Sequence, residues 1–550
     1  MHRAALGPAP RALVLGAVLC AALVAQAGAA RAGPPSFGAA TPIAVSLNAS
    51  GFAATLAVSC IGPGTCTDVG RYQSANGNHA FAVSQLAGRF ARPEELGRNL
   101  NSRGDVQLNA VSCTGPGACS AVGLYTDRAA NLQPFAVTET RGHWGAAVTL
   151  LGVTRGGTHG NASAVSCASP GNCLAVGENG RVQHTAAFAA RQVGGIWSRA
   201  VELAASLNRT GGAATADAMS CPTITTCVVA GTYHLGTKLE DYVQSEVDGR
   251  WGAAREVAGA LNAGDAAFVG GVSCATAGYC TMAGTYTDAT ASTHPFIDVE
   301  SAGRWGPAVQ VAGNLQGSAI KGTADAVACP ARGTCAIVGW YRGASEHAFG
   351  LTEEGGHPGA AVELAAGLDV LGAYAGVVTC ASPGRCVAGG TYSDTRGALH
   401  AFSDDLEGAT WAAAIPLPSA SAANNPIEVD GVACTSGHAC TAVGTEGTGS
   451  PLQAFAAWRG GVLVTRVAGL HAVVRGHALS AVVGGLAYGA VVRIAERLAG
   501  RLYRTVAVRA AGPSVSVRLS FALPGTWRLT VTDSVAECTA APVHATVRVT

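Results

Sequence analysis

Sixteen of the eighteen cysteines fall into eight pairs of identical spacing, Cys-x5-Cys, and this constrains the fold more than any other feature of the chain. The pairs are Cys60/Cys66, Cys113/Cys119, Cys167/Cys173, Cys221/Cys227, Cys274/Cys280, Cys329/Cys335, Cys380/Cys386 and Cys434/Cys440. Their first members stand 51 to 55 residues apart. Self-similarity at such a period points to a propeller, a solenoid or another repeat array.

Each repeat has the same internal order. A short apolar run ending in the first cysteine, such as Ala57-Val58-Ser59-Cys60, reads as a strand. A five-residue loop follows, often with Pro-Gly, and a second strand leaves from the other cysteine, as in Ala121-Val122-Gly123. A variable polar loop leads to a third strand marked by Phe81, Phe135, Phe188, Tyr242, Phe296, Phe349, Phe402 or Phe455. A turn carrying Trp144, Trp197, Trp251 or Trp305 then opens a fourth strand such as Ala200 to Leu203. Short strands at even spacing, punctuated by Gly and Pro, are an all-β pattern. Four strands per repeat predict an eight-bladed β-propeller over residues 33–464.

The ends of the array bear on closure. Phe37 to Asn48 reads as a fourth strand standing alone before the first cysteine pair, while the eighth repeat lacks a convincing fourth. If the orphan strand completes the last blade, the ring closes and no sheet edge stays open. An open solenoid of eight units is the fallback.

The cysteines are expected to bridge within each repeat. The spacing is not that of a zinc site, and an even number facing each other across hairpin mouths suits structural disulfides. Each short loop would contribute only about 2 kcal/mol through loop entropy. Cys538 is left over, and a buried thiol is favoured over an intermolecular partner.

The Val-Ser-Cys-x5-Cys-x-Ala-Val-Gly unit resembles repeats of secreted actinobacterial proteins over about residues 37–460. The resemblance implies an extracellular propeller-like fold and carries no catalytic residue across.

Residues 1–32 read as a secretory signal. His2, Arg3 and Arg11 precede an apolar run from Ala12 to Ala25, with small residues after it. Cys20 would leave with the signal. No other stretch has the ~18 uninterrupted apolar residues of a spanning helix, so a secreted, extracellular location is expected.

From about Thr465 the repeat vanishes, and alternating runs around Pro524-Gly525 suggest an immunoglobulin-like β-sandwich over 465–550. That segment holds ten arginines against Glu496, Asp533 and Glu537, a net of +7. Residues 33–464 carry 22 basic against 31 acidic residues, a net of −9 that the overall +1 conceals. The basic module could dock on the acidic repeats, or meet an anionic envelope polymer.

Nucleophile-elbow, zinc-protease, phosphate-loop and EF-hand motifs are absent from the sequence, so no catalytic residue, metal or cofactor is assigned, and no nucleic-acid partner is expected. Histidines recur two residues before the third-strand aromatic, at His79, His294, His347 and His400, and a structural role is expected for them. Two sets of binding candidates remain. Four residues before the first cysteine stand Asn109, Asp217, Asp325 and Asp430, in alternate repeats, where the innermost strands would turn oxygens toward one channel mouth. Between the second and third strands recur Tyr125 with Asp127, Tyr286 with Asp288 and Tyr392 with Asp394, with Glu178 and Glu446 nearby. Asx-type turn capping would account for either set equally simply.

The expected function is a non-catalytic extracellular recognition or adhesion scaffold for a glycan or protein. The alternative is a propeller-type glycoside hydrolase or polysaccharide lyase using rim carboxylates.

Overall fold

The computed structural model describes residues 37–459, apart from 48–50, 87–88, 101–103, 153–156, 209–211, 317–320, 369–370, 419–426, 437–438 and 448–451, together with the backbone of eight strands between 466 and 549. The signal segment, Cys20 and Asn48 lie outside the described residues.

Strands built from the repeat pattern dominate, with a single helical turn at Gly313–Gln316 among the described residues. Unit two is representative. Its first strand, Val106–Gly115, pairs antiparallel with Ala118–Thr126, which pairs in turn with Leu132–Thr140. The expected fourth strand is divided into two short pieces, His143–Trp144 and Val148–Thr149, both on the third strand. In unit three the expected run Ala200 to Leu203 is likewise Ile196–Trp197 and then Val201–Glu202. The break has a packing cause. The first piece lays Trp197 against the hydrophobic cluster shared with unit two, and the second delivers Leu203 to the cluster shared with unit four. An irregularity between them re-aims the strand.

All eight cysteine pairs are disulfides within their own unit, with Cα separations of 3.9 to 4.1 Å. Partners stand directly opposite across the hairpin, as Cys60 does to Cys66. The loops turn on a glycine in the left-handed region, such as Gly117 at φ 66°. There a side chain would be strained, and it would strike Gly142.

Besides stapling the hairpin mouths as expected, the second cysteines are core residues. Cys66, Cys119, Cys173, Cys227, Cys280, Cys335, Cys386 and Cys440 are each no more than 4% exposed. Cys173 joins the hydrophobic cluster that holds Val122 of the preceding unit, and Cys227 the one that holds Leu174. Cys386 likewise shares a cluster with Ala336, and Cys440 with Val387. Their first-strand partners Cys167, Cys221, Cys380 and Cys434 are only partly buried against the same clusters. The cause is position in the sheet. Each second cysteine opens the middle strand, which has a neighbour on both sides, whereas the first cysteine lies on the inner edge strand. A sulfur so enclosed adds apolar burial to the loop-closure effect of its bridge.

Three features of the repeat form one device. In seven units the ladder between the first two strands slips by one residue at the position four before the first cysteine, between Leu108 and Ala110 for example. The bulged backbone presses on the glycine of the middle strand. A Cβ on Gly123 would lie 1.9 Å from the Gln107 carbonyl oxygen. On its other side that glycine pairs with the third-strand aromatic, Gly123 with Phe135 and Gly70 with Phe81. All eight aromatics are fully buried, and each contributes about 1.5–3 kcal/mol by leaving water.

Hydrogen bonds run from unit to unit. The serine before the first cysteine accepts the amide of the next unit's first cysteine: Ser59 from Cys113, Ser112 from Cys167, Ser220 from Cys274 and Ser273 from Cys329, at 2.9–3.0 Å. After the second cysteine, Thr67, Ser120 and Thr281 contact the sulfurs of Cys119, Cys173 and Cys335 in the following units. The eighth unit does the same to the first. Thr441 lies 3.2 Å from Cys66 Sγ and donates to Gln85.

The N-terminal strand pairs with unit eight, Thr41 opposite Ala456 and Pro42 opposite Phe455. It is shorter than expected. Residues 43–47 bend and turn, which lets Ile43 and Ala44 pack into the cluster between units eight and one with Tyr72, Phe81 and Val443. Arg459 fixes this end. It is buried, bonds both carboxylate oxygens of Asp405 in unit seven at 2.7 and 2.8 Å, and lies 5.1 Å from the Phe37 ring centroid. The arrangement is all-β, repeated and propeller-like.

Beyond residue 465 two antiparallel sheets follow. In one, Ala478–Gly484 lies between Arg466–Ala468 and Ser514–Ser520. In the other, Val491–Leu498 pairs with Arg501–Arg509 and with Gly525–Val535, and the latter also receives Cys538–Thr539 and Val543–Val549. The Cys538 side chain lies outside the described residues.

Candidate functional site

Three of the first candidate set sit at the bulge. Asn109, Asp325 and Asp430 are the extra residues at their bulges, and Asp217 precedes the first strand of unit four at the same position. The first three are strand-bulge residues, whereas Asp217 lies just outside its strand. The one-residue slip between the first two strands of a unit is a signal that the sequence does not display.

These four do not form one cluster. In units two and three the inner strands carry an amide ladder, which Arg71 joins from the middle strand of unit one. Arg71 donates to Gln107 Oε1 at 2.8 Å, Gln107 to Asn109 Oδ1 at 2.6 Å, and Asn109 to Asn161 Oδ1 at 2.7 Å. Every step passes toward the next unit or along its strand, ending on Ser163.

Units six to eight carry carboxyls instead. Asp325 accepts from the Thr323 hydroxyl at 2.8 Å, and burial pushes its carboxyl up to about 6. Burial, then the charge of Glu428, pushes Asp430 up to about 7, against a hydrogen bond from Thr445. Tyr374 of unit seven belongs with them. Its ring folds over Gly376, where a Cβ would meet it at 2.7 Å. Burial first, then the charges of Asp325, Glu428 and Asp430, raise its phenol to about 12. Sequence reasoning missed Tyr374 and Glu428, because they flank the repeated position instead of occupying it.

Asp217 stands apart. It accepts from Thr215 at 2.7 Å, and enclosure, with the charge of Glu178, pushes it up to about 6. Glu178 lies within the middle strand Asn172–Arg181, opposite Asn161. Glu446 ends the corresponding strand of unit eight.

The second candidate set is engaged in turns. Asp127 accepts the amides of Ala129 and Asn131, Asp288 those of Thr290 and Ser292, and Asp394 those of Arg396 and Ala398, all at 2.8–3.0 Å. The Thr290 hydroxyl and His294 first, and then these amides, hold Asp288 below the usual carboxylate range; the amides do so at Asp394, and at Asp127 they outweigh burial together with the Asn131 side chain. Tyr125 bonds Thr149, and Tyr286 bonds Gln310.

The recurrent histidines complete the same corners. His294 and His400 contact Asp288 and Asp394 at 2.9 and 3.2 Å, and both rings lie over the cross-strand tyrosines Tyr286 and Tyr392. His79 lies on Tyr72 and bonds Glu95. His347 lies on Tyr341 and contacts Glu363. Among the described residues no group of three or more His, Cys, Asp or Glu side chains could hold a metal ion. No described helix is long and apolar enough to cross a membrane.

No protein-family model matches the chain, and no curated protein is similar to it. Solved structures are similar at low identity. The ulvan lyase of a new polysaccharide lyase family, PL25, shares 12% identity at a TM-score of 0.38, over 69% of this chain and 96% of that one. A subtype N10 neuraminidase-like protein of A/little yellow-shouldered bat/Guatemala shares 9% at 0.32, over 54% and 92%. The fucose-specific lectin from Aleuria aurantia shares 11% at 0.26, over 57% and 96%. Likeness at this level bears on neither activity nor ligand.

Proposed function

We propose that the eight units are the blades of a closed eight-bladed propeller, preceded by a signal peptide (1–32) and followed by an immunoglobulin-like sandwich (465–550). On this reading the protein is secreted and serves as a non-catalytic recognition or adhesion scaffold for an extracellular glycan or protein. The observation that carries it is the polar lining of the inner strands, with an amide ladder on units two and three and an aromatic–carboxyl group of Asp325, Tyr374, Glu428 and Asp430 on units six to eight. Donors on one side, acceptors and a ring on the other, suit an extended ligand that both donates and accepts. The turns holding Tyr125, Asp127, Tyr286, Asp288, Tyr392 and Asp394 would frame it as rigid corners, since variable loops on a fixed scaffold suit recognition.

The test is binding on a glycan array and to immobilised envelope polymers. Tyr374→Ala and the pair Asp325→Asn, Asp430→Asn should lose the signal while melting is retained. Binding that ignores all three changes sinks the proposal.

One observation favours a hydrolase or lyase instead. Asp430 is raised to about 7, by burial first and then by the charge of Glu428, and a carboxyl poised near neutrality suits general acid–base work. Release of reducing or unsaturated ends from a bound polysaccharide, lost in Asp430→Asn, would decide for the enzyme.

A further inference from the structure

Phe268, Trp340 and Tyr374 occupy one level of three consecutive units. Phe268 and Tyr374 stand six residues before the first cysteines of units five and seven, and Trp340 lies directly opposite Thr323, the matching residue of unit six. Phe268 likewise pairs with Thr285, and Tyr374 with Thr391. Partners across a ladder share a sheet face, and so do residues two or four apart along a strand. That face turns toward the following unit: Ala283 packs with Ala324 of unit six, Val338 with Ala375 of unit seven, and Val387 with Val429 of unit eight. The seams between units five and six, six and seven, and seven and eight therefore each hold one aromatic ring at the same level. Among the described residues the other five seams hold none there; Gln107, Asn161, Thr215 and Glu428 take the first-strand position in units two, three, four and eight.

The rings are accessible. Phe268 is 48% exposed and Tyr374 44%, and Trp340 is partly buried. A single exposed aromatic is ordinary; three at one level of adjoining units call for a cause. The inner strands of these units lie side by side. The Cys329 amide bonds Ser273 at 2.9 Å, and Cys380 Sγ lies 3.6 Å from the Ala328 carbonyl oxygen. The surroundings of Tyr374 are anionic, since the charges of Asp325, Glu428 and Asp430 all act on its phenol. A cavity of about 490 Å³ adjoins its ring, bounded also by Leu371, Leu399 and the Arg342–Glu346 ion pair, which adds no net charge. Arg342 in turn lies 5.9 Å from the Trp340 ring centroid. The same guanidinium thus borders the second ring and the cavity beside the third.

We infer that units five to eight bind a linear polysaccharide bearing free amino groups, with Phe268, Trp340 and Tyr374 as stacking surfaces and Asp325, Glu428 and Asp430 as the anionic partners of an ammonium. This rests on the inner-strand recognition proposed above and names its ligand class. A chain of sugar rings offers a flat C–H face at each step, which matches aromatic surfaces spread over successive seams better than one compact ligand does. An ammonium at Tyr374 gains from the face of the ring and from the carboxylates together. The net −9 of residues 33–464 works against a polyanionic chain.

The test is titration calorimetry on the full oxidised chain with a β-1,4-linked glucosamine hexamer, its N-acetylated counterpart, cellohexaose and a hexagalacturonate. The glucosamine hexamer should bind about tenfold or more tightly than the other three. Phe268→Ala removes an exposed ring and changes no charge. It should weaken that binding about tenfold or more at an unchanged melting temperature, and Phe268→Tyr should retain it. These two variants separate stacking from the attraction of any polycation to an acidic protein. No binding of the glucosamine hexamer overturns the inference, as does equal affinity for the N-acetylated form or an affinity indifferent to Phe268→Ala. If a glycan of another class binds and is lost in Tyr374→Ala, the recognition scaffold stands and this ligand class falls. If no glycan of any class binds, both fall.

Discussion

Asp68 is the residue most at odds with its surroundings. It is fully buried in the middle strand of unit one, and neither carboxylate oxygen has a hydrogen-bond partner. Burial pushes its carboxyl from 3.8 up to about 8. The same position holds Ala121, Ala175, Val229, Met282, Ile337, Ala388 and Ala442 in the other units, two residues after the second cysteine. A raised carboxyl pKa favours the folded state while both states are protonated, below about pH 4. That advantage is lost as pH rises toward 8, since the unfolded chain has already released its proton. The loss is on the order of 5 kcal/mol at most. Asp68→Ala should therefore melt higher than the parent by a margin that widens from pH 4 to pH 8 and then levels. A margin independent of pH would show that Asp68 does not titrate in this window. Asp405 presents the opposite case, a buried partner. Asp405→Ala strands the Arg459 guanidinium and should cost about 3–5 kcal/mol in chemical denaturation. A cost near zero would mean that the pair does not hold units seven and eight.

At the scale of elements, the strand at Thr41–Pro42 lies on the third strand of unit eight as an outer strand. Deleting residues 37–48 should uncover that edge, remove the Phe37 ring from Arg459, lower the melting temperature and promote aggregation. Unchanged melting and solubility would show that the strand is dispensable. This pairing and the eight local disulfides could be read from the sequence, because both follow from period and from hairpin geometry. The unequal burial of the two cysteines in a bridge could not, since Cys173 and Cys227 meet their clusters only once neighbouring units are stacked. Nor could the divided fourth strand, because Trp197 and Leu203 face different clusters and only packing reveals the break. The bulge was hidden too. Leu56, Asn109 and Gly270 share a position but no chemistry, and the common cause is the close approach of backbone to a middle-strand glycine. The candidate site was therefore only half legible. Asp325 and Asp430 were found by counting from a cysteine, whereas Tyr374 and Glu428 join them through space.

For the whole molecule, charge is divided between a region of net −9 (33–464) and one of net +7 (465–550). Docking of the second on the first is the expected use. A chain ending at 464 should bind a separately added 465–550 segment at low salt, and lose it as ionic strength rises and screening shortens to ~8 Å or less. Salt-sensitive capture of the full-length protein by anionic polymer would instead mean that the basic face is free. Biogenesis follows from a simpler property, the six-residue separation within every disulfide. A bridge that closes one hairpin can form as soon as that hairpin enters an oxidising compartment, before any later repeat has arrived. Each newly made pair is then withdrawn from exchange with the cysteines behind it. Sixteen thiols that could scramble are handled two at a time, so maturation should depend on the supply of oxidant and little on a disulfide isomerase.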